Sequence, residues 1–405
     1  MTAPLESDVA TFQAPPEARL EFMPRQVVVR VHSEALHASA AAVSEPFDWL
    51  IREAGAHRVE PLFDSDTDEL RGMTLVELAQ TVSPELLRRV ESSPGTAFAE
   101  QVPARWLSAA ATADPRRNRQ WGLRAIRWFE SDRPAPSDVT VAICDTGVDG
   151  AHPDLDGAVA TYDHEGAGAT DVVGHGTHVS GIIAARANNE AGVVGVAGCR
   201  LAMWKVFPDR PVEGSFYVDG TSFLRALNAV AASGAKVLNL SLGGTQPSQA
   251  EQLLFDRLER AGVTVVAAMG NDYANGNPTE YPAAYEHVLA VGAAAETDRR
   301  SPFSNTGAHI GLAAPGSDIL STLPTTASGF RPDTKYASWS GTSMATPHVA
   351  AAAALVAAKH GDWTPADTKE HLRKTAARLA DMGGQDWTQA YGNGLLDIAA
   401  ALSSD

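Results

Sequence analysis

Three short motifs of the 405-residue chain carry side chains that could perform nucleophilic catalysis. Asp145 ends the apolar run Val141–Cys144, His175 lies between Gly174 and Gly176, and Ser343 follows Gly341-Thr342. A serine hydroxyl is a weak nucleophile at neutral pH, so it needs a nearby base such as histidine, and that base is usually oriented by a third group. Taken singly, each of these residues is more often structural. Together, in this order and these contexts, they favour a functional site over three separate structural roles.

The sequence around each motif indicates how its side chain is positioned. The apolar run predicts a buried strand that ends in Asp145, and open α/β sheets place ligand chemistry at the carboxyl edge of their strands. Small residues flank His175 and precede an apolar helix, so they allow close approach of neighbouring segments. Ser343 stands where a tight turn enters an alanine-rich helix, near the N–H groups of a helix N-terminus.

The rest of the chain predicts two modules. Near-continuous apolar runs at 139–144, 201–206, 236–240 and 263–268 are typical of a buried parallel sheet, which intervening helices would cover through right-handed crossovers. The predicted fold class is therefore α/β, a parallel sheet flanked by helices and preceded by a small α+β module. The expected organisation is a flexible tail at 1–22, the small module at 23–105, an exposed linker at 106–120 and the large domain at 121–405. Arg105, Arg116 and Arg117 are candidate processing sites at the linker.

Composition narrows the classes of partner. The formal net charge is −17, which argues against nucleic acid and favours cationic partners or bound cations. The sequence has no uninterrupted apolar run long enough to span a membrane, and its N-terminus lacks a basic region followed by an apolar one, so no membrane partner and a cytoplasmic location are expected. Cys144 and Cys199 make no disulfide framework, which also suits a reducing compartment.

The three motifs, in the order Asp, His, Ser, resemble those of the subtilisin family of serine proteases (subtilases, peptidase family S8) over roughly residues 115–403. The resemblance implies a subtilisin-like fold and a serine endopeptidase in which Ser343 attacks the scissile carbonyl, His175 transfers its proton and Asp145 orients the imidazole. Asn271 matches the family's oxyanion-hole asparagine. His178, His348, Asn239 and Thr342 are expected to be packing or supporting groups.

The same resemblance suggests where a peptide substrate binds. The segment Ser241-Leu242-Gly243-Gly244 resembles the family's substrate-pairing strand, and the segment Ala268-Met269-Gly270 is expected to form the opposite wall of the pocket for the P1 side chain. Glu280 and Asp272 would place two carboxylates at that pocket and favour lysine or arginine at P1. The alternative is that the loop after Asp272 shifts and both acids face water.

A loop near residue 190 resembles the family's calcium site. The predicted ligands are the carboxylate of Asp154, the side chain of Asn189 and the carbonyls of Ala187, Ala191 and Val193, a set of hard oxygens that suits Ca²⁺. The N-terminal ligand usual in the family is not identifiable in the sequence. An unliganded, solvated loop is the alternative.

The module at 23–105 resembles the family's propeptide, which implies a self-processing zymogen whose own propeptide acts as an intramolecular inhibitor. Such modules usually accompany secreted enzymes, in conflict with the expected cytoplasmic location. The main alternative is a non-catalytic peptide-binding protein silenced by an uncleaved N-terminal module. An esterase of the α/β-hydrolase type is disfavoured because the residues around Ser343 do not form a G-x-S-x-G elbow.

Overall fold

The computed structural model describes residues 22–32, 47–62, 72–103, 114–133, 139–164 and 168–403. The chain divides into two compact units, Met1–Ala110 and Ala111–Asp405. None of the described helices is both long and apolar enough to cross a bilayer.

The first unit is built on a four-stranded antiparallel sheet with the strand order β2-β3-β1-β4. Its elements are β1 (Phe22–Val31), β2 (Ala56–Pro61), β3 (Met73–Leu78), α1 (Pro84–Glu91) and β4 (Thr96–Pro103), with a helical segment at 47–52. Alternate residues of β1 point inward, so Val27 and Val29 are fully buried together with Leu50 and Val76. The sheet therefore buries one face against helical residues, as expected of a small α+β module.

The second unit contains a seven-stranded, wholly parallel sheet with the strand order β11-β10-β9-β8-β5-β7-β6. Its strands are β5 (Thr140–Asp145), β6 (Val159–Asp163), β7 (Arg200–Lys205), β8 (Val237–Leu240), β9 (Thr264–Ala268), β10 (Val288–Ala294) and β11 (Ile310–Pro315). An antiparallel hairpin of β12 (Ile319–Thr322) and β13 (Tyr336–Trp339) accompanies it. The predicted subtilisin-like parallel sheet is confirmed.

Helices cover both faces of this sheet. They are α2 (Trp121–Ala125), α3 (His175–Ala184), α4 (Gly220–Ser233), α5 (Gln249–Arg260), α6 (Thr342–Lys359), α7 (Pro365–Thr375) and α8 (Ile398–Ser403). Helices α3 and α6 contribute to one apolar core, whereas α4 and α5 contribute to the other. Because the central strands are buried on both faces, their apolar residues run continuously instead of alternating.

The linker predicted at 106–120 is only partly compatible with the structure. Residues 104–113, which include Arg105, lie outside the described residues. Residues 114–120, however, belong to the second unit and pack within it: Asp114 is buried, and the Gln120 side chain exchanges two hydrogen bonds with the main chain of Val194. Small and charged residues made this segment resemble a linker, but its polar groups are satisfied by burial against residues far along the chain.

Candidate active site

The carboxyl end of β5 brings Asp145 against His175. The imidazole Nδ1 of His175 lies 2.8 Å from Asp145 Oδ1 and 3.0 Å from Oδ2, so the N–H at this position donates to the carboxylate. Asp145 is fully buried, and the side chain of His175 keeps 24% of its surface exposed. Burial opposes the charged imidazole, but the charge and hydrogen bond of Asp145 outweigh it and raise the pKa of His175. The pair is arranged as an oriented general base.

Glycine next to His175 permits this approach. Gly176 lies so close to the carbonyl of Gly147 and to the Asp145 side chain that any Cβ at this position would overlap them. Gly174 adopts a left-handed conformation, with a φ of 92°, at the N-cap of α3. The small residues predicted to allow close packing around His175 therefore do so.

Ser343 lies in the first turn of α6 and is only partly buried. Its hydroxyl donates to the main-chain carbonyl of Ser241 at 3.2 Å and not to His175. Catalytic hydrogen bonds are often long or misdirected without substrate, and they tighten when substrate binds. Rotation about one side-chain bond would turn the Ser343 hydroxyl away from Ser241.

Asn271 is held with its amide nitrogen free to donate. Its Oδ1 accepts hydrogen bonds from the Thr342 N–H at 2.8 Å and from the Thr342 hydroxyl at 3.0 Å. A Cβ built on Gly341 would stand 3.6 Å from the Ser343 nitrogen and 3.7 Å from Asn271 Nδ2. Both nitrogens therefore lie near one point beside the serine, which is compatible with two donors to a single oxyanion.

Two other histidines near the motifs are packed and neutral. His178 stacks on Trp339 with ring centroids 4.9 Å apart, and burial lowers its pKa to about 3. His348 contacts the Met344 carbonyl at 2.9 Å, and burial lowers its pKa to about 4. Neither ring is therefore suited to accept a proton near neutral pH.

A cleft of about 450 Å³ runs beside His175. Its walls include Ser241, Leu242 and Gly243 of the predicted substrate-pairing segment, together with Phe207 and Phe216. The neighbouring Gly244 is instead paired with Tyr281 through two main-chain hydrogen bonds. The structure therefore lines the cleft with three of the four predicted segment residues and uses the fourth to hold the adjoining loop.

Glu280 lies between the two predicted walls of the P1 pocket. Its two carboxylate oxygens lie so close to Gly243 and Gly270 that a Cβ on either glycine would overlap them. Glu280 is 9% exposed, and its Oε1 accepts a hydrogen bond from Asn305 at 3.0 Å. Burial and the negative charge of Asp272 raise the pKa of Glu280.

The other predicted pocket residues are placed differently. Asp272 is exposed, and its carboxylate accepts a hydrogen bond from the Asn275 side chain at 3.0 Å. Ala268 ends β9, whereas the Met269 side chain is buried in the apolar core. Of the two acids, only Glu280 is thus enclosed between the walls.

The predicted calcium loop lies against two buried carboxylates. Asp154 accepts hydrogen bonds from the Asn189 amide at 3.1 Å and from the Val193 N–H at 2.9 Å. Asp114 accepts from the main-chain N–H groups of Asn188 and Asn189 at 3.1 and 3.2 Å. The described residues contain no cluster of three or more His, Cys, Asp or Glu side chains suited to a metal. Any cation here would therefore rely on carbonyl and amide oxygens as well.

Two buried carboxylates beside these sites could not be identified from the sequence. Asp114 lay in the segment interpreted as a linker. Asp171 is buried four residues before His175 and accepts hydrogen bonds from the Thr146 hydroxyl and from both the N–H and hydroxyl of Thr177. It ties the end of β5 to the first turn of α3, a role set by contacts between segments distant in sequence.

Comparison with known proteins agrees with this geometry. The model of the subtilase family (Peptidase_S8) matches residues 136–394. The chain is 37% identical to subtilisin E of Bacillus subtilis over 330 residues, 80% of each protein, and 36% identical to an alkaline protease of Alkalihalobacillus alcalophilus over 332 residues, 81% and 80%. Among solved structures, fervidolysin from Fervidobacterium pennivorans, a keratinolytic enzyme related to subtilisin, aligns with a TM-score of 0.64 at 26% identity, covering 95% of this chain and 62% of that one. The chain therefore belongs to the subtilase family and is a serine endopeptidase.

Proposed function

We propose that the endopeptidase uses Ser343 as its nucleophile, His175 as its general base and Asp145 as the group that orients and stabilises the imidazole. The observation that carries the proposal is the paired hydrogen bond between His175 Nδ1 and the buried Asp145 carboxylate. A carboxylate on Nδ1 leaves Nε2 as the lone-pair nitrogen that can accept the serine proton.

The reaction would proceed in two steps through an acyl-enzyme. The Ser343 oxygen attacks the carbonyl carbon while its proton passes to His175 Nε2, which then protonates the leaving amine. The developing oxyanion would accept hydrogen bonds from Asn271 Nδ2 and the Ser343 N–H. Water then attacks the acyl carbon and gives a proton to His175. The bond between that carbon and the Ser343 oxygen breaks, and His175 returns the proton to this oxygen, which releases the acid and restores the hydroxyl.

The pH dependence tests this assignment. The reaction needs neutral His175, and its raised pKa means that activity is lost as the pH falls through a value above the ordinary 6.5. We expect the rate at which a peptidyl phosphonate labels Ser343 to rise with pH to a plateau, with its midpoint above about 6.5. Peptide mapping locates the label, and a flat rate between pH 5 and 8 would contradict the role of His175.

We further propose that the enzyme prefers lysine or arginine at P1. Support comes from the enclosed Glu280 carboxylate, which lies between the walls formed by Gly243 and Gly270. A buried carboxylate costs free energy unless it is paired, and a basic P1 side chain would supply the missing cation when it binds. The exposed Asp272 would contribute only a weak, screened attraction.

We also propose that the first unit is an inhibitory propeptide and that the chain is a self-processing zymogen. The antiparallel sheet packed on helical residues agrees with the propeptide resemblance. Processing is proposed at Arg105, because Arg116 is tied down by a hydrogen bond from its main-chain N–H to the Gly192 carbonyl at 2.7 Å. A protease needs an extended, accessible segment, which residues 114–120 do not offer.

Calcium is proposed for the loop beside Asp154. The donor set fits a hard cation, since Asp114 and Asp154 are both buried and the loop adds main-chain carbonyls. Binding would require the Asn189 amide to present Oδ1 to the ion, in place of the Nδ2 that now donates to Asp154. Asp154, Asn189 and the carbonyls of Ala187, Ala191 and Val193 remain the proposed ligands, with Asp114 as an added carboxylate beside the site.

Removing Asp154 should abolish calcium-dependent stability. In the Ser343→Ala background, which prevents self-digestion, calcium should raise the unfolding temperature relative to EDTA by about 5 °C or more, and Asp154→Asn should remove this difference. Differential scanning calorimetry measures both. Asp156→Asn is the matched control, because that carboxylate is 75% exposed and pairs with Arg186 at the surface. An equal calcium effect in Asp154→Asn would contradict the assignment.

A further inference from the structure

The carbonyl of the nucleophile itself lacks its helical partner. In an α-helix the N–H of residue i donates to the carbonyl of residue i−4, and Pro347 stands four residues after Ser343 in α6. Proline has no N–H, so it cannot donate to the Ser343 carbonyl. A main-chain carbonyl in a buried segment must then be satisfied by another donor.

Ser241 supplies that donor. Its Oγ donates to the Ser343 carbonyl at 2.8 Å, although the two residues are 102 positions apart. Asn239 Nδ2 donates in turn to Ser241 Oγ at 3.1 Å. A hydroxyl has one proton, so the bond from Asn239 directs the Ser241 proton toward Ser343. The end of β8 is thereby tied to the first turn of α6 by two hydrogen bonds in series.

Burying Asn239 so that it can make this hydrogen bond to Ser241 costs folding free energy. Asn239 is fully buried, yet its Oδ1 has no hydrogen-bond partner among the described residues. A buried, unpaired acceptor destabilises a protein, and natural sequences keep such groups mostly where the same side chain serves a functional site. The Asn239 amide is therefore better explained by the donation to Ser241 than by core packing.

We propose that Ser241 is a positioning residue for the nucleophile: its hydroxyl replaces the main-chain donor that Pro347 lacks. It thereby holds the turn that carries both the Ser343 hydroxyl and the Ser343 N–H. This role belongs to the Ser241 side chain and is separate from any main-chain pairing of Ser241 with substrate. The inference depends on the proposed function, since it requires Ser343 to be the nucleophile.

The expected effect is on turnover and not on substrate binding. Ser241→Ala keeps the main chain of the cleft, so KM for a peptide amide should change by less than about threefold. Misplacing a reacting atom by about 1 Å costs roughly 100-fold, so kcat should fall by about 30- to 100-fold. The rate of phosphonate labelling at Ser343 should fall by a similar factor.

A double-variant cycle distinguishes positioning from general destabilisation. Pro347→Ala restores a main-chain N–H at the position that faces the Ser343 carbonyl. We expect kcat of the double variant Ser241→Ala/Pro347→Ala to be at least about tenfold higher than kcat of Ser241→Ala. Pro347→Ala alone should change kcat less than Ser241→Ala does. Asn239→Ala tests the same interaction in a second way. It removes the hydrogen bond that orients the Ser241 hydroxyl and should lower kcat by about tenfold, and adding Pro347→Ala should again restore kcat.

Ser180→Ala is the matched control, because Ser180 is also fully buried and its hydroxyl has no hydrogen-bond partner among the described residues. Its kcat should equal that of the wild-type enzyme. The proposal is overturned if Ser241→Ala retains wild-type kcat, or if Pro347→Ala restores nothing in either background. Failure of the wild-type enzyme to react with the phosphonate at Ser343 would instead count against the proposed nucleophile.

Discussion

Replacing Ser343 with alanine should abolish hydrolysis and leave the full-length chain intact, whereas the wild-type chain should split into two pieces during incubation with calcium. Without the hydroxyl no acyl-enzyme forms, and Asp145 and His175 have no nucleophile to activate. For subtilisin itself, removal of the catalytic serine lowers kcat by about 2 × 10⁶-fold, and we expect a loss of the same order here. Intact mass measured over time follows the splitting, and a peptide substrate reports kcat.

The position and order of the splitting carry further information. We expect the cut within residues 104–113, after Arg105, because residues 114–120 are packed within the second unit. Adding a trace of processed wild-type enzyme to the Ser343→Ala chain shows whether cleavage can also occur between molecules. Splitting of Ser343→Ala alone at the wild-type rate would contradict self-processing. If neither chain splits and Ser343 resists the phosphonate, the non-catalytic peptide-binding protein becomes the better explanation.

The Glu280→Gln variant should lose its preference for basic residues at P1. Glutamine keeps the shape of the side chain and can still accept a hydrogen bond from Asn305, but it removes the charge. Truncating one partner of a buried charge pair costs about 2 kcal/mol or more, so kcat/KM for an arginine substrate should fall by at least about 30-fold. The kcat/KM for an otherwise identical leucine substrate should stay the same or rise. Paired substrates that differ only at P1 measure the ratio.

Asp272→Asn tests whether the P1 preference depends on the burial of the Glu280 carboxylate and not only on its charge. Asp272 contributes an equal charge near the same pocket, but it is exposed and occupied with Asn275. Charges in water interact weakly, so we expect the arginine-to-leucine ratio to change by less than about threefold. Equal effects of the two variants would indicate that the overall negative charge around the pocket attracts the P1 side chain, instead of a direct contact with Glu280. An unchanged ratio in Glu280→Gln would contradict the proposed P1 preference.

Much of the fold, and the residues proposed for catalysis, could be predicted from local sequence. Asp145, His175 and Ser343 each lie in a short motif whose strand, turn or helix is specified by its own neighbours. The continuous apolar runs likewise indicate a buried parallel sheet, since a strand covered on both faces cannot alternate polar and apolar residues. The carboxyl ends of such strands share one edge, so Asp145 and Asn271 had to be on the same side of the molecule.

Other features depended on contacts that no local pattern encodes. The sequence left open whether Glu280 and Asp272 both line the pocket or both face water, and the packing of two loops encloses only Glu280. The residues around Asp114 resemble a linker, yet Asp114 is buried against the loop proposed to bind calcium.

The sequence by itself thus determined the family, the fold class and the three side chains proposed for catalysis, because these depend on residue type and short spacing. Only the tertiary structure decided which carboxylates are buried and how the carbonyl of Ser343 is held by Ser241. Hydrogen bonds between residues about 100 positions apart, and the loss of water around a charge, arise when distant segments pack together. They are properties of the folded arrangement and leave no periodic signal along the chain.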